Sequence, residues 1–229
     1  MPTKVIQQIT AWSFSRLNDW RKCPKFAYYK HVLKMKEPGN DAMARGGEID
    51  NMATAYVRGQ GAAKIPVELK AFEQEFKVLR KQNKFAIAQD EWAFNAQWQP
   101  CDWFDRLAWL RIKTDVHYLN PETGILLLVD NKTGKQREWH NEQLDLYALG
   151  ALLKPWKPKA VDVRIWYLDL GIELPETEKL YTKDDLPRLK KYWLKEVTPM
   201  LKDKSFNEKP SNACGWCTFS KGKGGPCKY

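Results

Sequence analysis

The chain has 229 residues, 43% hydrophobic and 29% charged, a globular composition that sets aside a disordered or collagen-like protein. No apolar run approaches the ~18 residues of a membrane helix, and "MPTKVIQQITAWSFS" lacks a signal-peptide core, so a cytoplasmic protein with no membrane partner is expected. A formal net charge of +10 favours a polyanionic partner, nucleic acid ahead of a membrane surface.

In chain order, "WSFSRLNDWRKCPKFAYYKHVL" over residues 11–35 starts a helix capped by Ser13 or Ser15 and interrupted or restarted at Pro24. A Gly-Gly pair then opens a helix from about Glu48 to Arg58, with Ile49, Met52, Ala53 and Tyr56 as its apolar set. Residues 66–83 form an amphipathic helix with Leu69, Phe72, Phe76 and Leu79 on one face. The texture then changes to strands: "AIAQDEWAFNAQW", "LAWLRIKTDVHYL" and "GILLLVDNK", with "NPETG" at 120–124 as a turn. A helix over 138–153, a strand "AVDVRIWYLDLG" and a helix "LPRLKKYWLKEVTPMLKD" follow. The last stretch, "PSNACGWCTFSKGKGGPCKY", is Gly-rich, basic and cysteine-bearing. This order implies a mixed α/β fold with one central sheet flanked by helices.

The stretch "LLLVDNKTGKQ" ends an apolar strand on Asp130 and Lys132, which share one face because side chains alternate along a strand. A turn centred near Glu122 sets Asp115 across from Val129 or Asp130. Two carboxylates and an ammonium then converge on one spot. Such carboxylates suit Mg²⁺ or Mn²⁺, hard ions that take oxygen ligands, and the lysine would orient or deprotonate a water or steady developing charge. Asp-x-Lys alone is too short to be specific; a hairpin ending in solvated charges fits it too. His117 is near Asp115 and either borders this spot or is a satisfied strand residue. No Ser/His/Asp set and no phosphate-loop motif for ATP is legible.

"TDVHYLNPETGILLLVDNKTGK" resembles the core of the PD-(D/E)XK nucleases, in particular their RecB-like branch, which includes CRISPR-adaptation and phage exonucleases. Other features stand in that branch's order. "HNEQLDLYALG" resembles its Q-x-x-x-Y motif, through Gln143 and Tyr147, and "SFSRLNDWRKCPKFAYY" resembles its serine-helix-Cys-Pro signature. Glu91 fits an acidic position ahead of the core. Where the branch often carries a metal-ligating His after G-x-x-x, Gly46 leads to Asp50.

The resemblance implies a restriction-endonuclease-like fold, in one nuclease domain over 1–229: a helical part at 1–85, a catalytic core at 86–200 and a Cys-rich segment at 201–229, packed near the N-terminal helix. It implies Asp115, Asp130, Lys132 and Glu91 as catalytic residues. Asp115, Asp130, Asp50 and the carbonyl of Asn131 would be metal ligands. Gln143 and Tyr147 would support the site and, with Lys135, meet the DNA backbone. The expected activity is metal-dependent hydrolysis of DNA, linear duplex or single-stranded, by an exonuclease of recombination, replication or repair, phage-encoded or of the CRISPR-adaptation type.

Cys214, Cys217 and Cys227 cluster at the C-terminus, and Cys23 lies in the N-terminal helix; four thiolates would hold zinc or a [4Fe–4S] cluster, or else the thiols are free. In the resembled branch such a set holds Fe–S, although the gap from Cys217 to Cys227 is longer than usual. Cys101 stands apart as a packing residue. Lys221, Lys223 and Lys228 beside Trp216 and Phe219 suit a nucleic-acid strand, or else form a solvated tail whose rings pack on the domain. The alternatives are a non-catalytic nucleic-acid-binding module with a structural Fe–S or zinc site, and a zinc-binding interaction module.

Overall fold

The computed structural model describes residues 8–61, 63–137, 139–175 and 179–229. The chain divides into two compact units, one of residues up to 39 together with 192–229, the other of residues 40–191.

In the first unit, α1 (Phe14–Lys22) starts at Ser13, whose hydroxyl accepts the Arg16 N–H at 3.3 Å. It stops before Pro24, which opens the short α2 (Pro24–Ala27) as its first residue, and a π-helical turn (Tyr28–Val32) follows. Rings hold this unit together. Trp12 stacks on Trp193 at 5.7 Å and Phe14 meets Trp193 edge-on. Phe26 and Tyr29 pack on Phe219, bringing the cysteine-bearing end of the chain onto the N-terminal helices. Arg21 donates to Glu196 at 2.6 Å and Trp20 to Asp203 at 2.8 Å.

In the second unit, α3 (Asp41–Val57) begins well before the expected Glu48, because Asn40 caps it by accepting the Met43 N–H at 2.9 Å. The Gly-Gly pair lies inside the helix rather than ahead of it. A Cβ on Gly46 would stand 3.3 Å from Thr133 Oγ1, so the bare backbone permits a close approach to the loop after Lys132. The expected helix over 66–83 divides into a 3₁₀ segment (Val67–Phe72) and α4 (Glu73–Lys81), with Leu69, Phe72, Phe76 and Leu79 all buried as its apolar stripe requires.

The sheet comprises β1 (Ala86–Phe94), β2 (Pro100–Cys101), β3 (Leu110–Leu119), β4 (Ile125–Lys132), β5 (Ala160–Tyr167), β6 (Ile172–Leu174) and β7 (Leu180–Tyr181). Its order is β2-β1-β3-β4-β5-β6, with β7 beside β5. β1, β3 and β4 are antiparallel neighbours, and the β3–β4 register runs Val116↔Val129 to Leu119↔Leu126 around the "NPETG" turn. β4 and β5 are parallel, joined by the crossover helix α5 (Trp139–Leu153). The sheet is therefore mixed, as expected; β2, β6 and β7 are too short to have shown as periodicity. The last helix, α6 (Leu186–Lys202), carries the chain from the second unit back to the first.

Ile49, Ala53, Phe72 and Phe76 bury one face of the sheet through Ala86, Ala88, Val116, Val129 and Trp166. The other face meets α5, where Gly150 leaves room for Ile112 and Trp92; a Cβ there would lie 2.5 Å from Ile112 Cδ1. Among the described residues no helix is long and apolar enough to cross a membrane.

Candidate active site

The site grows from a break in the pleat. Along β1, Ala88 faces α3 and α4 whereas Trp92 faces α5; along β3, Val116 and Ile112 differ in the same way. Residues an even number apart in an unbroken strand share a face, so both strands reverse between these positions. The reversal falls at Gln89, whose φ is +56°, and at Asp115, the one step missing from the ladder between Ala88↔Val116 and Asp90↔Thr114. The β3–β4 register carried one step on puts Asp130 beside Asp115.

Asp130 is 2% exposed. Its Oδ1 accepts the Tyr147 hydroxyl at 2.7 Å and the Gln143 amide at 3.3 Å, while its Oδ2 is met by the Lys132 ammonium. Asp115 Oδ2 accepts the Asn131 N–H at 2.7 Å. Burial pushes the Asp115 carboxyl well above the usual range, and the charges of Asp130 and Asp50 push it further. Asp50, on α3, accepts Gln89 Nε2 at 2.6 Å through Oδ2, while its buried Oδ1 has no hydrogen-bond partner. Its carboxyl is also raised, chiefly by burial. Burial lowers Lys132, but Asp130 and Asp115 outweigh it and raise the ammonium above its ordinary value.

Three carboxylates therefore face one another with a single lysine close by, an arrangement that gains from a further cation. Among the described residues, no group of three or more His, Cys, Asp or Glu side chains is arranged to hold a metal ion.

The sequence profile of the PD-(D/E)XK nuclease superfamily matches residues 11–221. The chain belongs to that superfamily. It is accordingly a nuclease-family protein with a nucleic-acid substrate and metal-dependent chemistry. A Eubacterium rectale structure titled "Putative exonuclease" aligns with 91% of this chain and 87% of its own at 14% identity, with a TM-score of 0.51, which shows a shared fold. The structure titled SSO0001 aligns with 94% of this chain and 87% of its own at 14% identity, with a TM-score of 0.38. No curated protein matches the chain.

The structure brings Asp115, Asp130, Asn131, Lys132, Asp50, Gln143 and Tyr147 together. One expectation changes. Glu91 is exposed, and among the described residues no hydrogen bond or ion pair joins it to the carboxylates; the reversal at Gln89 gives the place beside Asp50 to Gln89 instead. Tyr147 is buried with its hydroxyl on Asp130, and Gln143 donates to that hydroxyl at 2.7 Å, so the pair supports the carboxylate. His117 is a satisfied strand residue: it bonds Asp90 at 3.0 Å between Trp92 and Trp156. Burial would raise Asp90, but bonds from His117 and Trp92 hold it at about 2.

Sequence reasoning missed the second ring of support. Gly134 N–H donates to Asp169 Oδ2 at 2.8 Å, and Arg45 grips both oxygens of Asp169 at 2.6 and 2.9 Å. This clamp and the approach of Gly46 pin the turn that follows Lys132, on which Lys135 is exposed. Lys132 lies opposite Tyr167, whose hydroxyl bonds His140 Nδ1 at 2.5 Å. Burial, then the Lys132 charge, lowers His140 to about 4, so that ring is neutral at pH 7. The only sequence signal for these residues was polarity at strand ends.

In the first unit, Cys23, Cys214, Cys217 and Cys227 are free thiols lining one cavity with Phe26, Tyr29 and Phe219. Burial raises the Cys217 thiol. Phe219 is buried whereas Trp216 is 87% exposed, so one ring of the expected pair packs on the unit and the other stands in solvent. Cys101 is half-buried on β2.

Proposed function

We propose that this protein is a Mg²⁺- or Mn²⁺-dependent deoxyribonuclease acting at the ends of linear duplex or single-stranded DNA, in recombination, replication or repair and of phage or CRISPR-adaptation type, with residues 1–229 as its nuclease domain. The observation that carries it is the Asp115–Asp130–Lys132 constellation at the pleat reversal, with Asp50 alongside. The donors fit a hard cation: they are oxygens, they repel one another, and Asp50 Oδ1 is buried without a partner.

Asp115 and Asp130, with Asp50 and the Asn131 carbonyl completing the set, would hold the metal, which when bound supplies Lewis acidity toward a phosphate oxygen and water. Tyr147 and Gln143 fix the Asp130 oxygen that faces them, leaving the other for the site. Lys132, kept as an ammonium by Asp130, donates hydrogen bonds to the attacking water and the scissile phosphate. Serving as a base would first require that ammonium to give up its proton. Water attacks phosphorus, the P–O bond to the leaving oxygen breaks, and that oxygen takes up a proton. Lys135, exposed on the clamped turn, would meet the phosphate backbone, and Glu91 stands at the margin of the set.

We further propose that the four cysteines hold a [4Fe–4S] cluster, with zinc as the alternative. Support comes from their meeting at one cavity, although no three are arranged as ligands among the described residues.

The test is a paired digestion of end-labelled linear and closed circular DNA by the wild-type chain and Asp130→Ala, with Mn²⁺, Mg²⁺ or chelator. Metal-dependent shortening of linear DNA, an intact circle and an inert variant support an exonuclease. DNA bound but never cut would overturn the enzyme reading in favour of a binding module. Iron, zinc and sulfide contents of anaerobically purified protein decide the cysteine site.

A further inference from the structure

The β1–β3 hairpin does not stop at the level of the carboxylates. The Val116↔Val129 register, carried forward, sets Lys132 level with Lys113, which pairs with Glu91, and the β1–β3 ladder then runs on to Phe94↔Leu110. At ~3.3 Å per residue, the segment over 95–109 starts roughly 10 Å beyond the end of β4; β2 pairs back along β1 within it, and 102–109 then leads from β2 to β3.

That segment is fixed by its own bonds. Asn95 Oδ1 accepts the backbone N–H groups of Gln97 and Gln99, both at 3.0 Å. Trp98 meets Trp109 edge-on at 5.0 Å, Arg111 lies over Trp103, and Asp105 Oδ1 accepts the Leu107 N–H at 2.7 Å. On this frame Phe104 is 89% exposed and Leu107 69% exposed. Burying either side chain would favour the folded state, yet the fold leaves both in water on the ordered segment that leads from β2 to β3 at this end of the hairpin.

The neighbouring charges are Arg106 and Arg111, against Asp102 and Asp105, of which Asp105 is engaged in the Leu107 turn. Lys113 is exposed on β3 between that segment and the carboxylates, and its charge is felt at Asp50. The chain as a whole carries +10.

We infer that Phe104 and Leu107 form a platform on which a terminal, unpaired base of a nucleic-acid strand stacks while a phosphate of that strand lies at Asp115 and Asp130. This rests on the nuclease reading above and adds to it a preference for frayed or single-stranded ends. An aromatic face stacks on any base, so the platform selects unpaired structure without reading sequence. Lys113 lies where the intervening backbone passes and would offset one of its phosphate charges.

The test measures binding of a fluorescein-labelled single-stranded oligonucleotide and of a closed circular duplex in chelator, so that nothing is cut. A base–aromatic stack is worth ~1–3 kcal/mol, so Phe104→Ala should weaken single-strand binding by about 5- to 100-fold, leaving circular-duplex binding and the melting temperature unchanged. Phe104→Trp should restore binding and Phe104→Leu should not. Equal binding by wild type and Phe104→Leu, or no effect of Phe104→Ala, overturns the platform; if the wild type still cuts with metal, the nuclease reading survives and the exposed pair serves a protein partner instead. A wild-type chain that neither binds nor cuts DNA sinks both.

Discussion

The molecule holds two sets of metal-type donors that differ in what they do without a metal. Asp115, Asp130 and Asp50 crowd negative charge into a desolvated corner, where burial and repulsion push Asp115 and Asp50 toward protonation. The four cysteines share a cavity as free thiols, and the one that burial shifts moves further from the thiolate. The first set is strained until a cation arrives; the second is at ease until its protons leave. The oxygen donors are thus built under tension, whereas burial holds the Cys217 thiol on its proton, which metal binding there would have to release.

The sharpest way to break this contrast is Asp130→Ala or Lys132→Ala, which should reduce metal-dependent cleavage by about 10³-fold or more in single-turnover assays. Retained activity would show that the strained corner is not the catalytic one. Next, Tyr147→Phe removes the hydroxyl that orients Asp130 and should lower cleavage by ~10–100-fold, with a matching loss of Mn²⁺ affinity.

The contrast sharpens with pH. Asp115 has a raised folded pKa, so above the unfolded value of ~3.9 the native state keeps a proton that the unfolded chain has lost. Stability in chelator should therefore fall as pH rises from ~4 through the raised value, and Asp115→Asn should flatten that slope and stabilise the chain by on the order of 1 kcal/mol. Asp90 works in the opposite sense: held at about 2, it contributes stability above ~4 that is lost as pH falls toward 2. Urea melts across pH would show both limbs, and divalent metal should erase the Asp115 limb alone. For the thiols, Cys217→Ser should remove bound iron or zinc measured by elemental analysis. The smallest effect is expected at the exposed clamp, where Arg45→Ala should slow cleavage by less than about tenfold.

The hairpin that carries the site was legible because turn chemistry and apolar runs are local: "NPETG" and "LLLVD" fixed the β3–β4 register to within a step. The start of α3 was not, because Gly46 and Gly47 look like breakers until Thr133, far along the chain, supplies the reason for a bare backbone. Gln89 was invisible for a similar cause. A positive φ at a non-glycine leaves no compositional mark, and the family resemblance assigned the acidic position to Glu91. Asp169 and His140 act through partners brought by tertiary folding, which no window of sequence contains.

The pleat reversal ties catalysis to folding at one backbone position. Restoring plain alternation at Gln89 or Asp115 without changing the number of residues would turn Trp92, or Ile112, out of the space that Gly150 leaves for them. The chain therefore has no short path by which the site drifts out of shape while the core stays sound. A substitution that resists the positive φ at Gln89, such as Gln89→Val, should be read out as lost stability before it is ever read out as a slow enzyme.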